Sequence, residues 1–385
     1  MNSSKIGLAG AGALAGDYAD DLLVGTAREV HAAIARRVFG SGTHGPRLTR
    51  TLHDGVSHAV YAGLSGGVRT VSAGLRAAER RGVGPRLEDS PRGRFMLSAV
   101  NGLIGDRLAE ERPEFAIPLA VRVEGQDVPL DGAHLQRAFP RATGDVAVFL
   151  HGLSENDEHW NRHRDRTGGS YGDRLAAETS WTPVFLRANT GVSVADNAVA
   201  VAGLLDQLVS AWPSEVRRIA LVGHSMGGLV LRGACAVASD AEPAWTSLVS
   251  NVVTLGTPHL GAPMAKTVHA GVRALGQWPE SAPFGRILEY RSIGILNLRG
   301  GLAPDVQALP HARYHLVAAT LGSTPQHPVS ETLGDMLVRY PSATGRPRRG
   351  TEMFPGADVL HVPGAGHFDL LNHPGVYAAL REWFG

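Results

Sequence analysis

The sequence contains very little cysteine. Among its 385 residues Cys235 is the only cysteine. A single cysteine excludes an internal disulfide and any metal cluster built from cysteines. The cysteine content is therefore consistent with an oxidising compartment and with a reducing one. Cys235 falls just after the start of a predicted helix, where we expect a small buried apolar residue.

The sequence also lacks an excess of charge of one sign and a long apolar run. Lys and Arg number 37 against 36 Asp and Glu, which gives a formal net charge of +1. With so little net charge, the chain has no overall electrostatic attraction to nucleic acid or anionic lipid. We therefore expect no nucleic-acid partner and a small or apolar ligand instead. No stretch reaches the ~18 apolar residues that a membrane span requires.

The first residues have the outline of a signal peptide, because Lys5 precedes an apolar run over residues 6–15. That run consists mostly of Gly and Ala, and this composition makes a weak signal. We therefore expect neither a signal peptide nor a transmembrane segment. The predicted location is cytoplasmic, or peripheral to a membrane.

Helical periodicity dominates the first part of the chain, and we assign residues 1–115 to an N-terminal extension of amphipathic helices. Apolar residues recur at helical spacing in three stretches. They are Leu23, Ala27, Val30, Ile34 and Val38, then Leu52, Val56, Val60, Leu64, Val68, Val71 and Leu75, and finally Met96, Val100, Leu103 and Leu108. Two interpretations stay open: the stripes pack on the protein or a second copy, or they guide substrate or contact a membrane surface.

After Pro113 the pattern changes to short apolar runs separated by helical stretches. The runs cover residues 117–123, 146–150, 183–186, 219–222, 252–255, 314–318 and 359–362. Strands that alternate with helices predict an α/β fold over residues 116–385, with a mostly parallel central sheet and helices on both faces. The alternation lapses after Pro263, so residues 264–310 are predicted to form a cap or lid insertion.

The motif G-x-S-x-G, which can carry a nucleophilic serine, occurs three times, around Ser65, Ser170 and Ser225. With 48 glycines in the chain, the motif alone discriminates poorly. The chemistry needs a serine on a sharp turn from a strand into a helix, with small neighbours that leave room for close approach. Only Ser225 follows a β-type run and precedes a helical stretch, so the other two are expected to be structural serines.

Acyl transfer through a serine also needs two backbone N–H groups, which form an oxyanion hole for the charge on the former carbonyl oxygen. One donor is expected to be Met226, directly after the nucleophile. The other is expected to be Leu153, in the turn His-Gly-Leu that follows the apolar run ending at residue 150. We expect His151 in that turn to form hydrogen bonds without taking part in proton transfer.

A serine nucleophile needs a histidine base that is oriented by a carboxylate, and in this fold the chain order is Ser, acid, His. His367 lies in a Gly-rich loop after the last apolar run, which makes it the expected base. Asp335 lies between the last two runs and is the expected acid. The candidates judged weaker for the two roles are His361, His373, Asp305, Asp358 and Asp369.

With these residues in place, the chain resembles the lipase-like α/β hydrolases over residues 116–385, and in particular bacterial relatives of the PGAP1-like, GPI inositol-deacylase group. The segments that carry the resemblance are His151–Leu153, Arg187–Gly191, Gly223–Gly228, Leu255–Gly261 and Gly364–Phe368. One difference concerns the acid, because the turn after Asp335 reads Met-Leu-Val-Arg where the family often has Gly-Leu-Val-Pro. The loop around the acid is therefore expected to differ in shape.

The resemblance implies an esterase or lipase that acts on hydrophobic or lipid-like esters through an acyl-enzyme, without metal or organic cofactor. Three alternatives remain: an acyltransferase, a thioesterase with the same Ser-His-Asp residues, or a non-catalytic interaction protein that keeps the fold. Beyond its substrate, the predicted partners are a membrane surface or a second copy, contacted through the N-terminal helices.

Overall fold

The structure is a computed structural model that describes most of the chain. The described residues are 7–20, 25, 28–29, 31–32, 47–81, 86–238, 245–262, 292–298, 300–302, 306–347 and 350–385. Two compact units divide the described residues: those up to Met96 form one, and those from Leu97 onward form the other.

An eight-stranded sheet lies at the centre of the second unit, in the part of the chain that the structure describes. Its strands are β1 (Ala120–Val123), β2 (Gln126–Val128), β3 (Asp145–Leu150), β4 (Trp181–Arg187), β5 (Arg218–His224), β6 (Val249–Leu255), β7 (Arg313–Thr320) and β8 (Asp358–Pro363). They lie in the order β2-β1-β4-β3-β5-β6-β7-β8. β1 runs antiparallel to β2 and β4, whereas the strands from β3 to β8 run parallel.

Within the second unit, helices connect these strands and cover both faces of the sheet. The described helices are α1 (Leu8–Ala19), α2 (Arg47–Arg80), α3 (Pro91–Glu111), α4 (Gly132–Ala138), α5 (Arg164–Thr167), α6 (Tyr171–Glu178), α7 (Val194–Ala211), α8 (Met226–Ala238), α9 (Ile293–Asn297), α10 (Pro328–Leu333), α11 (Tyr340–Ala343) and α12 (Pro374–Phe384). Together with the strand order, this arrangement is the α/β-hydrolase fold, so the predicted fold class is confirmed.

The two faces of the sheet bury separate hydrophobic cores because successive side chains of a strand point to opposite sides. Along β3, Val146, Val148 and Leu150 face the core covered by α7 and α8, while Ala147 and Phe149 face the core covered by α6 and α12. All six β3 residues are buried. Burial on both faces explains why this strand reads as a continuous apolar run in the sequence.

Six of the seven apolar runs that the sequence assigned to strands lie wholly within a strand, and the first, residues 117–123, enters β1 only from Ala120 onward. The strand that was not predicted is β2, whose residues Gln126 and Asp127 are polar and exposed at the edge of the sheet. An edge strand with polar side chains has no apolar periodicity to reveal it. Of the predicted cap, residues 264–291 lie outside the described residues, and α9 belongs to the described remainder.

The first unit contains α1 packed against α2. The helices approach closely at two glycines, since a Cβ at Gly12 would lie 3.1 Å from Leu75 and a Cβ at Gly16 would lie 2.2 Å from the Ser72 hydroxyl. Asp17 pairs with Arg76 at 2.6 Å. The predicted stripe of α2 is partly solvent-facing, and its exposed members are Val60, Leu64 and Val71. The first predicted stripe, within residues 23–38, lies outside the described residues.

From Leu97 onward, α3 belongs to the second unit and packs on the loops that follow β3 and β4. A Cβ at Gly105 would lie 2.0 Å from Asn189 Oδ1, and a Cβ at Gly102 would lie 2.1 Å from Ser154 Oγ. The side chains buried on this face are Leu97, Ser98, Asn101, Ile104 and Leu108, whereas Met96, Val100 and Leu103 of the predicted stripe are exposed. The division into residues 1–115 and 116–385 stays a prediction.

One described helix, α7, is long and apolar enough by length and composition to cross a membrane. In the structure α7 lies on the sheet, and its buried side chains Val201, Leu205 and Leu208 are part of the core on that face.

Candidate active site

Ser225 lies on a tight turn between β5 and α8, as the nucleophile motif predicts. Its φ is +52°, a left-handed backbone conformation that residues other than Gly seldom adopt. The turn is held by the Ser225 amide, which donates to the Leu255 carbonyl at 2.8 Å. The small neighbours are required, since a Cβ at Gly227 would lie 2.3 Å from the Leu150 carbonyl oxygen and one at Gly223 would lie 2.5 Å from Gly228.

Asp335 and His367 are brought together from either side of β8. His367 Nδ1 lies 2.7 Å from Asp335 Oδ2, and both side chains are buried. The acid turn, residues 334–338, holds the carboxylate from its other side, because the amides of Leu337 and Val338 donate to Asp335 Oδ1 at 2.9 and 2.7 Å. Met336 follows the acid at φ +88°, so the turn closes without the glycine of the related motif.

The imidazole of His367 has one nitrogen free. Its Nε2 is buried and has no hydrogen-bond partner among the described residues. The base loop, residues 364–370, therefore leaves this nitrogen available for a ligand or a nearby hydroxyl.

Ser225 and His367 lie at the same edge of the sheet. The ring of His224, next to the nucleophile, lies 4.8 Å from the His367 ring, centroid to centroid. Gly256, which follows the residue that accepts from the Ser225 amide, touches the same imidazole: a Cβ there would lie 3.0 Å from His367 Cε1 and Nδ1. This contact and the φ of +60° both require glycine at position 256.

The predicted oxyanion donors lie on both sides of Ser225. Met226 is the first residue of α8, where backbone N–H groups have no partner within the helix. Leu153 lies in the oxyanion turn, residues 151–154, which follows β3. This turn reaches the nucleophile through Gly152, because a Cβ at Gly152 would lie 2.9 Å from the Ser225 Cβ.

His151 is bonded to the backbone on both of its ring nitrogens. Nδ1 lies 2.9 Å from the Gly152 carbonyl oxygen, and the Ala188 amide donates to Nε2 at 3.1 Å. One nitrogen donates and the other accepts, which is the pattern of a neutral imidazole. Complete burial lowers the pKa of His151 to about 4.

Sequence reasoning missed a second buried pair beside the nucleophile, Glu155 with His224. Glu155 Oε2 lies 2.9 Å from His224 Nδ1 and also accepts from the Gly152 amide at 2.6 Å. Burial opposes both charges, but each partner favours the other, so the pKa of Glu155 falls to about 2 and the pKa of His224 is raised. The two residues are 69 positions apart, and nothing in either motif indicates that they meet.

The weaker candidates among the acids and histidines have other partners. His361 Nε2 bonds to Thr320 at 2.7 Å, and His373 caps α12 by accepting from the Gly375 amide. Asp358 pairs with His315 at 2.9 Å, and Asp369 accepts from the Gly366 amide at 2.8 Å. Asp305 lies outside the described residues.

The other serines with the G-x-S-x-G pattern are parts of helices. Ser170 caps α6 by accepting from the Asp173 amide, and Ser65 lies within α2. Within the described ranges, no three side chains of His, Cys, Asp or Glu are grouped as metal ligands would be.

The sequence of this region matches a known family. Residues 143–295 match the family described as "Putative serine esterase (DUF676)". The matched segment contains the oxyanion turn and Ser225, and it supports a hydrolase. It ends before Asp335 and His367, and a PGAP1-like specificity does not follow from it. No curated protein matches the chain.

Several solved structures are similar to part of this chain. A lipase-esterase related protein from Clostridium acetobutylicum is 12% identical, with 63% of this chain and 95% of that chain covered and a TM-score of 0.39. The Pyrococcus furiosus esterase Pf2001 is 14% identical, with 63% of this chain and 82% of that chain covered and a TM-score of 0.42. The NocB thioesterase domain of the nocardicin cluster is 19% identical, with 64% of this chain and 96% of that chain covered and a TM-score of 0.38. Because these TM-scores are low, the fold assignment rests on the strand order of this chain.

Proposed function

We propose that this protein is a serine hydrolase that cleaves carboxylic esters of hydrophobic or lipid-like molecules through a Ser225-His367-Asp335 triad. One observation carries the proposal. The imidazole of His367 is bound to Asp335 through Nδ1, and its Nε2, at the edge of the sheet where Ser225 lies, has no hydrogen-bond partner among the residues that the structure describes.

Acylation begins when His367 Nε2 takes the proton of the Ser225 hydroxyl as Oγ attacks the ester carbonyl carbon. Asp335 accepts a hydrogen bond from Nδ1, which fixes the tautomer and stabilises the imidazolium that forms. The amides of Leu153 and Met226 donate to the oxyanion, and each such donor typically contributes about 3 kcal/mol. The C–O bond of the ester then breaks, and the alcohol leaves with the proton from Nε2.

Deacylation repeats these steps with water. His367 Nε2 takes a proton from the water as its oxygen attacks the acyl carbon. The second tetrahedral intermediate collapses, the bond to Ser225 Oγ breaks, and the proton returns to Oγ. The free acid is the product.

Apolar side chains beside the acid and the base favour a hydrophobic substrate. Met336 and Phe368 directly follow Asp335 and His367 in the chain, and their side chains are 64% and 39% exposed. Leu333, before the acid turn, is also exposed. An apolar acyl or alcohol group placed there would cover surface that otherwise contacts water. Membrane or self-association, and the location in the cell, stay predictions.

The test is the Ser225→Ala variant. It removes the nucleophile without adding volume, so we expect a folded protein whose turnover of p-nitrophenyl esters falls by about 10⁴-fold or more. A fluorophosphonate probe should label the wild type at Ser225 and leave the variant unlabelled. A series of p-nitrophenyl esters from short to long acyl chains measures the preference for apolar substrates.

Ser170→Ala is the matched control because Ser170 has the same sequence pattern. Loss of the helix cap should cost about 1 kcal/mol of stability and leave turnover and labelling at the wild-type level. Full labelling of Ser225→Ala, or loss of turnover in Ser170→Ala, would contradict the assignment.

A further inference from the structure

The buried pair of Glu155 and His224 lies beside the proposed catalytic residues, since His224 precedes Ser225 and its ring lies 4.8 Å from the His367 ring. The side chains are 4% and 0% exposed. Glu155 follows the oxyanion turn, and His224 is the last residue of β5, next to the nucleophile. Two ionisable groups buried from water are costly unless each is paired and hydrogen-bonded.

The bonds of His224 require both ring nitrogens to donate. Nδ1 faces the Glu155 carboxylate at 2.9 Å, and Nε2 faces the His367 carbonyl oxygen at 3.3 Å. Both partners can only accept, so both bonds form together when the ring is an imidazolium. The charged ring therefore links Glu155 to the backbone of the base loop.

Glu155 and Thr190 each bind one amide of the oxyanion turn. The Gly152 amide donates to Glu155 Oε2 at 2.6 Å, and the Ser154 amide donates to Thr190 Oγ1 at 2.9 Å. The amide between them, that of Leu153, is the one proposed to bind the oxyanion. Since its neighbours are fixed on both sides, the orientation of the Leu153 N–H depends on these two bonds.

We propose that Glu155 and His224 are positioning residues, which together fix the position of the oxyanion turn relative to the base loop around Ser225. The proposal rests on the proposed function. Glu155 holds the turn through the Gly152 amide, and His224 holds the loop through the His367 carbonyl. Neither side chain touches the substrate. Their effect is on geometry that matters most in the transition state, where a misplacement of about 1 Å can cost about 10²-fold in rate.

The test measures kcat and KM for a p-nitrophenyl ester. A fluorophosphonate is allowed to react to completion, and kcat is divided by the number of sites that it labels. For Glu155→Ala we expect kcat per labelled site to fall about 100-fold with KM changed less than about 3-fold, because the lost bonds act mainly on the transition state. Glu382→Ala is the control, since Glu382 is an exposed carboxylate on α12, and it should behave as the wild type.

Glu155→Gln is the conservative variant. The glutamine oxygen can still accept from Gly152 and His224, but without the charge the bonds are about half as strong. We expect a loss of about 10-fold in kcat, between the wild type and Glu155→Ala. If Glu155→Ala does not fold, this variant decides: an unchanged kcat per labelled site overturns the proposal.

A double variant tests whether the two residues act as a unit. Glu155→Gln combined with His224→Gln should lose no more than about 3-fold beyond the worse single variant, because each change already weakens the same link. Losses in kcat that multiply would show two independent roles and overturn the pairing.

Other outcomes separate this proposal from the proposed function. Fewer labelled sites with a normal kcat per site would show a purely structural pair and overturn the positioning role alone. A wild type that neither hydrolyses any ester nor reacts with the fluorophosphonate would overturn the proposed function, and the positioning role with it.

Discussion

Individual residues around the site fall into two groups by what burial does to their charge. Glu155 and His224 face each other at 2.9 Å in the interior, and this pairing favours the charged form of each: it lowers the pKa of Glu155 and raises the pKa of His224. His151, equally buried, has only backbone partners and is therefore held neutral. Its role follows from this state, since a neutral ring can accept from Ala188 and tie the oxyanion turn to the end of β4.

The neutral state of His151 predicts a pH effect on stability. In the unfolded chain His151 binds a proton near pH 6.5, and in the folded protein only near pH 4. The unfolded state therefore takes up the proton between these values, and acid favours unfolding. Between pH 7 and 5 the free energy of unfolding of the wild type should fall by about 2 kcal/mol more than that of His151→Gln.

Urea denaturation of both proteins at the two pH values measures this difference. The variant is the right comparison because glutamine can accept from the Ala188 amide but does not titrate. Equal losses for the two proteins would mean that His151 is not held neutral in the fold.

Among the elements, α3 has a structural role close to the site that its apolar periodicity does not indicate. Its small residues let the helix backbone lie against the loop after β4: a Cβ at Gly191 would lie 2.1 Å from the Asn101 carbonyl oxygen and 2.5 Å from the Gly105 amide. Asn101 then bonds to Leu97, Phe115 and Ile117 within the same unit.

This close approach predicts that Gly191→Ala is destabilising. The added methyl group meets backbone atoms that cannot rotate away, so we expect a loss of about 1–3 kcal/mol in the free energy of unfolding. Gly203→Ala in α7 is the control, because nothing lies within 4 Å of its Cβ position. There the change should stabilise the helix by about 0.5–1 kcal/mol. Two variants of equal stability in thermal or urea unfolding would refute the close packing.

At the scale of the whole molecule, the sheet brings distant parts of the chain together. The oxyanion turn follows β3, Ser225 follows β5, the acid turn comes after β7 and the base loop after β8. The carboxyl ends of parallel strands share one edge, so these segments meet there although they span more than half of the sequence. The compact second unit that holds them begins at Leu97.

Truncation tests where this unit begins. A chain that starts at residue 116 lacks Leu97, Ile104, Leu108 and Phe115, all buried. Each such side chain contributes about 1.5–3 kcal/mol by burial, so this chain should melt at least about 10 °C below one that starts at residue 91. Thermal unfolding followed by circular dichroism compares them. Equal melting temperatures would instead favour a boundary at residue 116.

The sequence by itself determined the alternation of strands and helices, and with it the fold. Strands such as β3 and β5 are buried on both faces, so their apolar runs can be read without knowing their neighbours. The turn at Ser225 could also be predicted, because a strand, two glycines and a helix are local features. The same holds for the turn at Leu153 and for the position of His367 in a Gly-rich loop.

Only the tertiary structure decided which side chains meet. The pairing of Glu155 with His224 and the packing of α3 on the loop at Gly191 join residues far apart in the chain, and neither was predicted. Chain order had already named Asp335 and His367 as acid and base, and the structure adds the 2.7 Å contact between them. No local pattern records such contacts, because they depend on the order of strands in the sheet. Periodicity reports which face of an element is buried, whereas partners across the molecule are fixed only when the elements pack.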